Sequence, residues 1–452
     1  MALNVYLFDK LAGRLNYSTQ NYDGRDYSFK YDENYVRQKG IPISLSLPVQ
    51  SEPFLATDLF PFFDNLLPEG WRKERAKFAS QFPELESYFP LVSLERHGAD
   101  APGGIFFSPT SGFYEEARID SLGASIFGLI SGAQPKVLTV QDEGHVLGAN
   151  VGQLSTHIAK LPSRSRPYAL AVEFLVMRAL KCLLPHDETA EVELVTAHDL
   201  KNYNCYIDFK SLGSGDAILL INRFDRRIVG GAVVRSQHCE EVASAMGLDA
   251  ADKYKLPYDK VAAFLYEKGA DNLVPILYQR IIASVLYADE DFHLKNLGII
   301  HQEDGKIGLT PKYDALCQNL CAPYIPMRGV KAPPRRMALG MTLSRGDPRE
   351  EANVHGKPLK RFNGLDAIHL AQLFNKANKN RNPGTFLDGY ALTQKVLARV
   401  PETIETILTI QKGCPLIPDV VRVGLAREIR AQANNLKQGL ERGRTATPTL
   451  AL

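Results

Sequence analysis

The hydrophobic periodicity of the chain changes near residue 235, and that change limits the fold more than any other feature of the sequence. Before it, apolar residues come in short alternating bursts: Val5-Tyr6-Leu7-Phe8, Tyr27-Ser28-Phe29-Lys30-Tyr31 and Ile43-Ser44-Leu45-Ser46-Leu47, each ending near Gly, Pro, Asp or Asn. Such bursts are the mark of strands. After it, segments 242–246, 258–266, 273–287, 365–379, 388–398 and 420–436 carry apolar residues at three and four spacing, the period of a helix packed on one face. Strands followed by helices predict an α+β chain. The pattern divides into a β-rich N-terminal subdomain (1–118), a strand-dominated α/β region (119–235), a mainly helical lobe (236–440) and a disordered tail (441–452). Strands are expected at 154–161, 191–195, 204–209 and 217–222. Helices interrupt them at 60–75, on either side of Pro68, and at 171–184, where Val172, Leu175, Val176, Ala179, Leu180 and Leu183 keep helical spacing and Glu173 lies beside the stripe.

The 452 residues are 45% hydrophobic, ample for a core and incompatible with disorder throughout. Lys and Arg number 53 against 51 Asp and Glu, a formal charge of +2, so nothing in the global charge draws the chain to nucleic acid or membrane. The six cysteines are scattered, and the close pair Cys317 and Cys321 has no second Cys or His pair at zinc-site spacing. No apolar run reaches the roughly eighteen residues a bilayer requires, and the first residues lack a signal-peptide progression. A reduced cytoplasm is the expected compartment.

The most informative stretch is Asp291-Phe292-His293-Leu294-Lys295-Asn296, followed by Leu297-Gly298-Ile299-Ile300, the turn Glu303-Asp304-Gly305-Lys306, Ile307-Gly308-Leu309 and Lys312-Tyr313-Asp314. The turn predicts a hairpin. Strands leaving Asn296 and returning to Tyr313 carry Asp314 back beside the amide, which makes the pair a candidate site for a hard cation. Asp291, five residues before Asn296, can then face a bound nucleophile. Phosphoryl transfer needs this division: a carboxylate takes the proton of an attacking hydroxyl while oxygen ligands hold Mg²⁺ against the phosphates of ATP. A polar loop before a hairpin is the competing reading.

Upstream, Ser131-Gly132-Ala133-Gln134-Pro135-Lys136 lies between strand-like runs. Small residues there let backbone N–H groups approach a phosphate, although in isolation an ordinary turn fits better. Lys160 sits on an alternating strand and Glu173 on the following helix, the order of the kinase ion pair that aims a lysine at phosphate oxygens; a lysine snorkelling from an edge strand is the alternative. Ala217 to Asn222 runs into Arg223-Phe224-Asp225-Arg226, where backbone near Asn222 and Phe224 could hold adenine and Asp225 the ribose. A core strand with a charged cap fits that periodicity equally well. The order of these parts matches a two-lobed protein-kinase-like fold.

With these residues and Pro42-Ile43-Ser44-Leu45-Ser46-Leu47-Pro48 and Phe63-Asp64-Asn65-Leu66-Leu67-Pro68-Glu69-Gly70, the chain resembles the HipA family, serine/threonine kinase toxins of bacterial type II toxin–antitoxin modules. The resemblance implies a catalytic base at Asp291 and Mg²⁺ ligands at Asn296 and Asp314. It implies a phosphate lysine at Lys160, an adenosine pocket including Asn222, Phe224 and Asp225, and His293 near the nucleotide. It further implies ATP and Mg²⁺ as cofactors, a cytosolic protein substrate such as an aminoacyl-tRNA synthetase, and autophosphorylation. The implied partner is a HipB-like helix-turn-helix antitoxin, with DNA met only through that complex. Two departures stand out. Many members carry Ser-x-Ser-Gly-Ala-Gln, with the first serine modified; here that position is Leu129, leaving Ser131 as the candidate. Val172 precedes Glu173 where Asn is frequent. The basic stretch Arg328 to Arg336 is a candidate for DNA phosphates, and a solvated loop is its alternative. A corepressor without transfer activity and a small-molecule kinase remain the rival functions.

Overall fold

The computed structural model describes residues 1–18, 24–67, 83–110, 136–142, 145–149, 153–199, 213, 215–321, 362–378, 384 and 386–446. The chain forms two compact units, neither continuous in sequence: residues 1–161, 195–252 and 298–307 make the first, and 162–194, 253–297 and 308–452 the second. This division differs from the one expected at 118 and 235. Periodicity is a local property, whereas a compact unit is set by long-range pairing. The boundary expected near 118 lies outside the described residues.

In the first unit β1 (Ala2–Leu7), β2 (Lys10–Tyr17), β3 (Tyr27–Tyr31), β4 (Phe54–Ala56) and β5 (Ile105–Pro109) form an antiparallel sheet in the order β4-β3-β2-β1-β5. The alternation read from sequence turns Leu3, Val5 and Leu7 inward on β1, and Tyr27, Phe29 and Tyr31 on β3. They pack with Phe62, Phe63 and Phe107. Residues 43–47 make no strand of their own. Their polar groups are instead bonded by Tyr31, whose hydroxyl donates to Leu47 O and accepts from Ile43 N (3.1 Å), and by Glu240, which accepts from Ser44 Oγ (2.7 Å) and Leu45 N (2.8 Å).

A second sheet contains β6 (Lys136–Asp142), β7 (His145–Gly148), β8 (His157–Lys160), β9 (Val192–Thr196), whose last two residues lie in this unit, and β10 (Ala217–Asn222), in the order β7-β6-β8-β10-β9. The strand expected at 204–209 lies outside the described residues. A hairpin of β11 (Arg226–Val229) and β12 (Ala232–Arg235) turns at Gly230 and Gly231, both at positive φ as such a turn requires. β13 (His238–Glu241) pairs with β14 (Gly298–His301). The turn after β14 closes with Gln302 N donating to Lys306 O (2.9 Å) and Gly305 at φ 80°, leading into β15 (Ile307–Leu309), so the expected hairpin is present.

The second unit is built of α1 (Ala169–Leu183), α2 (Tyr258–Glu267), α3 (Val274–Leu286), α4 (Gly364–Ala377), α5 (Gly389–Leu397), α6 (Val400–Thr409) and α7 (Asp419–Ala446). α1 is buried on nearly all sides, Glu173 included. The sequence did not single out α6, which starts at Val400 with Pro401 in its first turn. α7 runs through Ala446, so the first residues assigned to a tail are helical; the buried stripe of Leu425, Ile429, Ala433, Leu436 and Leu440 reaches the residue just before them. Among the described residues no helix is long and apolar enough to cross a membrane.

Candidate active site

The apolar stripe of α3 ends at Leu286, and the chain leaves the helix through Ala288, a non-glycine residue at φ 54°. Asp289 N bonds back to Ser284 O (2.9 Å), and the chain then curls through Asp291 to Asn296. His293 N donates to Asp291 O (2.9 Å), Asn296 N to His293 O (2.9 Å) and Asn296 Nδ2 to Asp291 O (2.8 Å). This last bond turns the amide so that Oδ1, which accepts no hydrogen bond among the described residues, is the group available to a cation. Tyr258 Oη holds Phe292 O from the buried side, and Lys253 O accepts Leu294 N (3.2 Å). His293 is 3% exposed and Asn296 5%, yet the Asp291 side chain is 49% exposed. The loop therefore hides its backbone and presents one carboxylate.

Asp289 and Gln318 fix that presentation. Asp289 Oδ1 accepts from Asp291 N (2.9 Å) and from Gln318 Nε2 (3.3 Å), while Gln318 Oε1 accepts from Glu290 N (2.7 Å). Asp289 Oδ2 is buried with no hydrogen-bond partner among the described residues. Burial raises the Asp289 pKa against the opposing charge of Lys312; burial lowers the Lys312 pKa against that of Asp289. Lys312 is 1% exposed, lies 4.1 Å over the Phe292 ring, and donates to Tyr313 O (3.1 Å).

The returning segment is anchored by Lys312 N to Glu188 O (2.7 Å) and Ala190 N to Lys312 O (2.9 Å). Arg280 binds Asp187 through two bonds of 2.6 Å and Thr310 O at 2.8 Å, fixing both flanks. Tyr313 Oη donates to Lys295 O (3.0 Å). The neighbours of the two proposed ligands, Asn296 and Asp314, are thus bonded to each other. Asp314 has φ 52°, a left-handed conformation that Asp tolerates better than most residues. Among the described residues no group of three or more His, Cys, Asp or Glu side chains forms a metal cage. An amide oxygen and one carboxylate fit Mg²⁺, which is commonly held by one or two protein oxygens plus phosphates and waters.

The remaining candidates lie in the first unit. Lys136 and Lys160 are register partners on β6 and β8, both buried, so their side chains share one face of the sheet. Asn222 is exposed at the end of β10 and Phe224 is half-buried. Asp225 does not fit the ribose role expected of it. It is 4% exposed, and its carboxylate is enclosed by Arg223 Nη2 (2.7 Å), Arg226 Nη1 (2.7 Å) and Gly103 N (2.7 Å). Burial would raise its pKa, but the two guanidinium groups outweigh that and hold it low. It is the centre of a structural ion network with Asp100, which contacts Arg226 at 3.0 Å. Leu129, Ser131, Gly132, Ala133 and Gln134, and the basic stretch from Arg328, lie outside the described residues. Sequence reading missed Asp289, Gln318 and Tyr254. Only Asp289, two residues before Asp291, carried a local signal.

Two family descriptions match the chain: the HipA N-terminal domain over residues 3–108 and the HipA-like C-terminal domain over 128–385. Two curated relatives come from Sinorhizobium fredii. The protein named "Putative kinase Y4mE" is 26% identical over 348 residues, covering 70% of this chain and 76% of its own. "Putative kinase Y4dM" is 29% identical over 343 residues, covering 72% and 78%. Among solved structures, HipA of Shewanella oneidensis, determined in a complex with HipB and operator DNA, superposes with a TM-score of 0.67 at 18% identity, covering 98% of this chain and 99% of that one. With both halves matched and the fold shared along its length, the chain is a member of the HipA family.

Proposed function

We propose that the chain is an ATP- and Mg²⁺-dependent serine/threonine protein kinase, the toxin of a toxin–antitoxin module. The observation that carries the reading is the exposed Asp291 carboxylate on an otherwise buried loop whose Asn296 amide is turned by its bond to Asp291 O. Asp291 accepts the proton of the attacking hydroxyl and aims its oxygen. Asn296 and Asp314 would hold Mg²⁺, which when bound neutralises charge building on the transferred phosphoryl group. Lys160, with Lys136 opposite, supplies cationic groups for phosphate oxygens, and Asn222 and Phe224 border the adenosine. The kinase names of the two Sinorhizobium relatives support the class of reaction.

The HipA–HipB–operator complex of Shewanella supports a HipB-like helix-turn-helix antitoxin as partner, with DNA contacted through it. A cytosolic protein, such as an aminoacyl-tRNA synthetase, is the proposed acceptor, and Ser131 the proposed site of self-modification in its loop. The test is transfer from radiolabelled ATP to a cytosolic extract by wild type and Asp291→Asn. A labelled protein band lost in the variant is expected. Label in small molecules only, or none at all, would overturn the protein-kinase reading.

A further inference from the structure

The Asp291 carboxylate already has a hydroxyl on it. Tyr254 Oη donates to Asp291 Oδ1, and its ring stands edge-on to His293 with centroids 4.9 Å apart. The backbone beside it is joined to the loop, Leu294 N donating to Lys253 O (3.2 Å). Tyr258, at the start of α2, bonds the same loop and provides the contrast. It is fully buried and bonds a backbone carbonyl, as a tyrosine with a purely structural task does. Tyr254 is 45% exposed, and it bonds the one side chain the loop turns outward. A phenol hydrogen-bonded to a general base at an accessible position has the acceptor-to-base contact that phosphoryl transfer requires.

We infer that Tyr254 is a self-phosphorylation site, its hydroxyl occupying the place of the acceptor hydroxyl on Asp291; this rests on the kinase reading above. In the step, a lone pair of Tyr254 Oη attacks the γ-phosphorus of ATP, the bond from that phosphorus to the β,γ-bridging oxygen breaks, and ADP leaves with the electron pair. The phenolic proton passes to Asp291 Oδ1. The product carries a phosphate of nearly two negative charges beside a carboxylate. Repulsion expels the modified side chain and frees Asp291 for an external acceptor.

The experiment incubates the full-length, phosphatase-treated protein with ATP and Mg²⁺ and locates phosphate by tandem mass spectrometry, with extract labelling run in parallel. Wild type is expected to carry phosphate on Tyr254, and Asp291→Asn none there. Tyr254→Phe is expected to label extract without delay, whereas phosphatase-treated wild type starts about fivefold slower, the factor of one displaced hydrogen bond, and accelerates as Tyr254 is phosphorylated. Extract labelled by wild type while Tyr254 stays unmodified would overturn the inference and leave the kinase reading standing. A wild type that starts as fast as Tyr254→Phe would overturn the occupancy of Asp291. Failure to label anything, extract included, would remove the kinase reading and this inference together.

Discussion

At Asp291 the distinction that matters is between the carboxylate and the backbone that aims it. The carboxylate is set by Asp289 and Gln318, neither of which needs to touch a substrate. Replacing Gln318 by Ala releases Glu290 N and one bond to Asp289, so Asp291 samples more orientations. The expected result is a fall of about tenfold in kcat with the KM for ATP nearly unchanged, since misplacement by fractions of an ångström acts on the reacting geometry. Partial recovery in Gln318→Glu, which keeps the acceptor for Glu290 N, separates positioning from misfolding. Ala288 tests the same bend by stability. Its φ of 54° places a Cβ in the left-handed region, so Ala288→Gly should stabilise by ~0.5–1 kcal/mol after the entropy glycine adds to the unfolded chain, measured by urea unfolding. Asp291, Asn296 and Asp314 could be singled out because residue type and spacing along one hairpin already suggest a site there. Gln318 and Tyr254 were not, because each acts through a hydrogen bond to a loop residue 28 and 37 positions away.

The elements were read best where burial is one-sided. β3 and α4 follow their periods because each sets one face against a core, whereas α1 and α3 are buried nearly all round. The crossing of α4 and α7 was invisible for a different reason: it depends on glycines that bring two backbones together. A Cβ built on Gly364 would lie 2.2 Å from both Leu436 O and Leu440 N, and one on Gly439 would lie 2.4 Å from Gly364 N. No side chain can yield there, since the obstacles are backbone. Gly439→Ala should therefore destabilise the second unit by ~2–3 kcal/mol, the cost of overpacking, seen as a lower midpoint of thermal unfolding by circular dichroism. A midpoint equal to wild type would show that the helices separate freely. Arg422, 2% exposed, belongs to the same architecture: its guanidinium bonds Ile407 O (3.3 Å) and Gln411 O (2.5 Å), closing the C-terminal end of α6 with a cation where the helix dipole favours one.

For the whole molecule, the chain passes between its two units at residues 161–162, 194–195, 252–253, 297–298 and 307–308. The first unit is thus completed by strands far from its start in sequence, and its stability depends on groups that meet only after those passes. His238 is one of them. It is fully buried, its Nδ1 accepts Gly104 N (3.4 Å), and its Nε2 faces Ile43 O (2.9 Å), which fixes the neutral tautomer with the proton on Nε2. Burial first, and then His301, whose ring lies tilted with its centroid 4.7 Å away, push its pKa down to about 3. His301 meets Glu240, which also holds Ser44 and Ser244, so a charge at His238 would disturb contacts from four segments of the unit. In the unfolded chain His238 takes a proton near pH 6.5, whereas in the folded chain it stays neutral well below that. The unfolded state therefore binds more protons as the pH falls through this window, and stability drops by up to ~1.4 kcal/mol per pH unit. Between pH 6.5 and 5, above the range where most carboxylates titrate, the first unit should lose ~2 kcal/mol, read as a falling urea midpoint. His238→Gln retains a hydrogen-bonding side chain and cannot titrate, so its midpoint should fall less steeply over the same interval, the remaining slope coming from His157, whose pKa burial also lowers. Equal slopes in wild type and His238→Gln would mean that the acid sensitivity of this fold resides elsewhere.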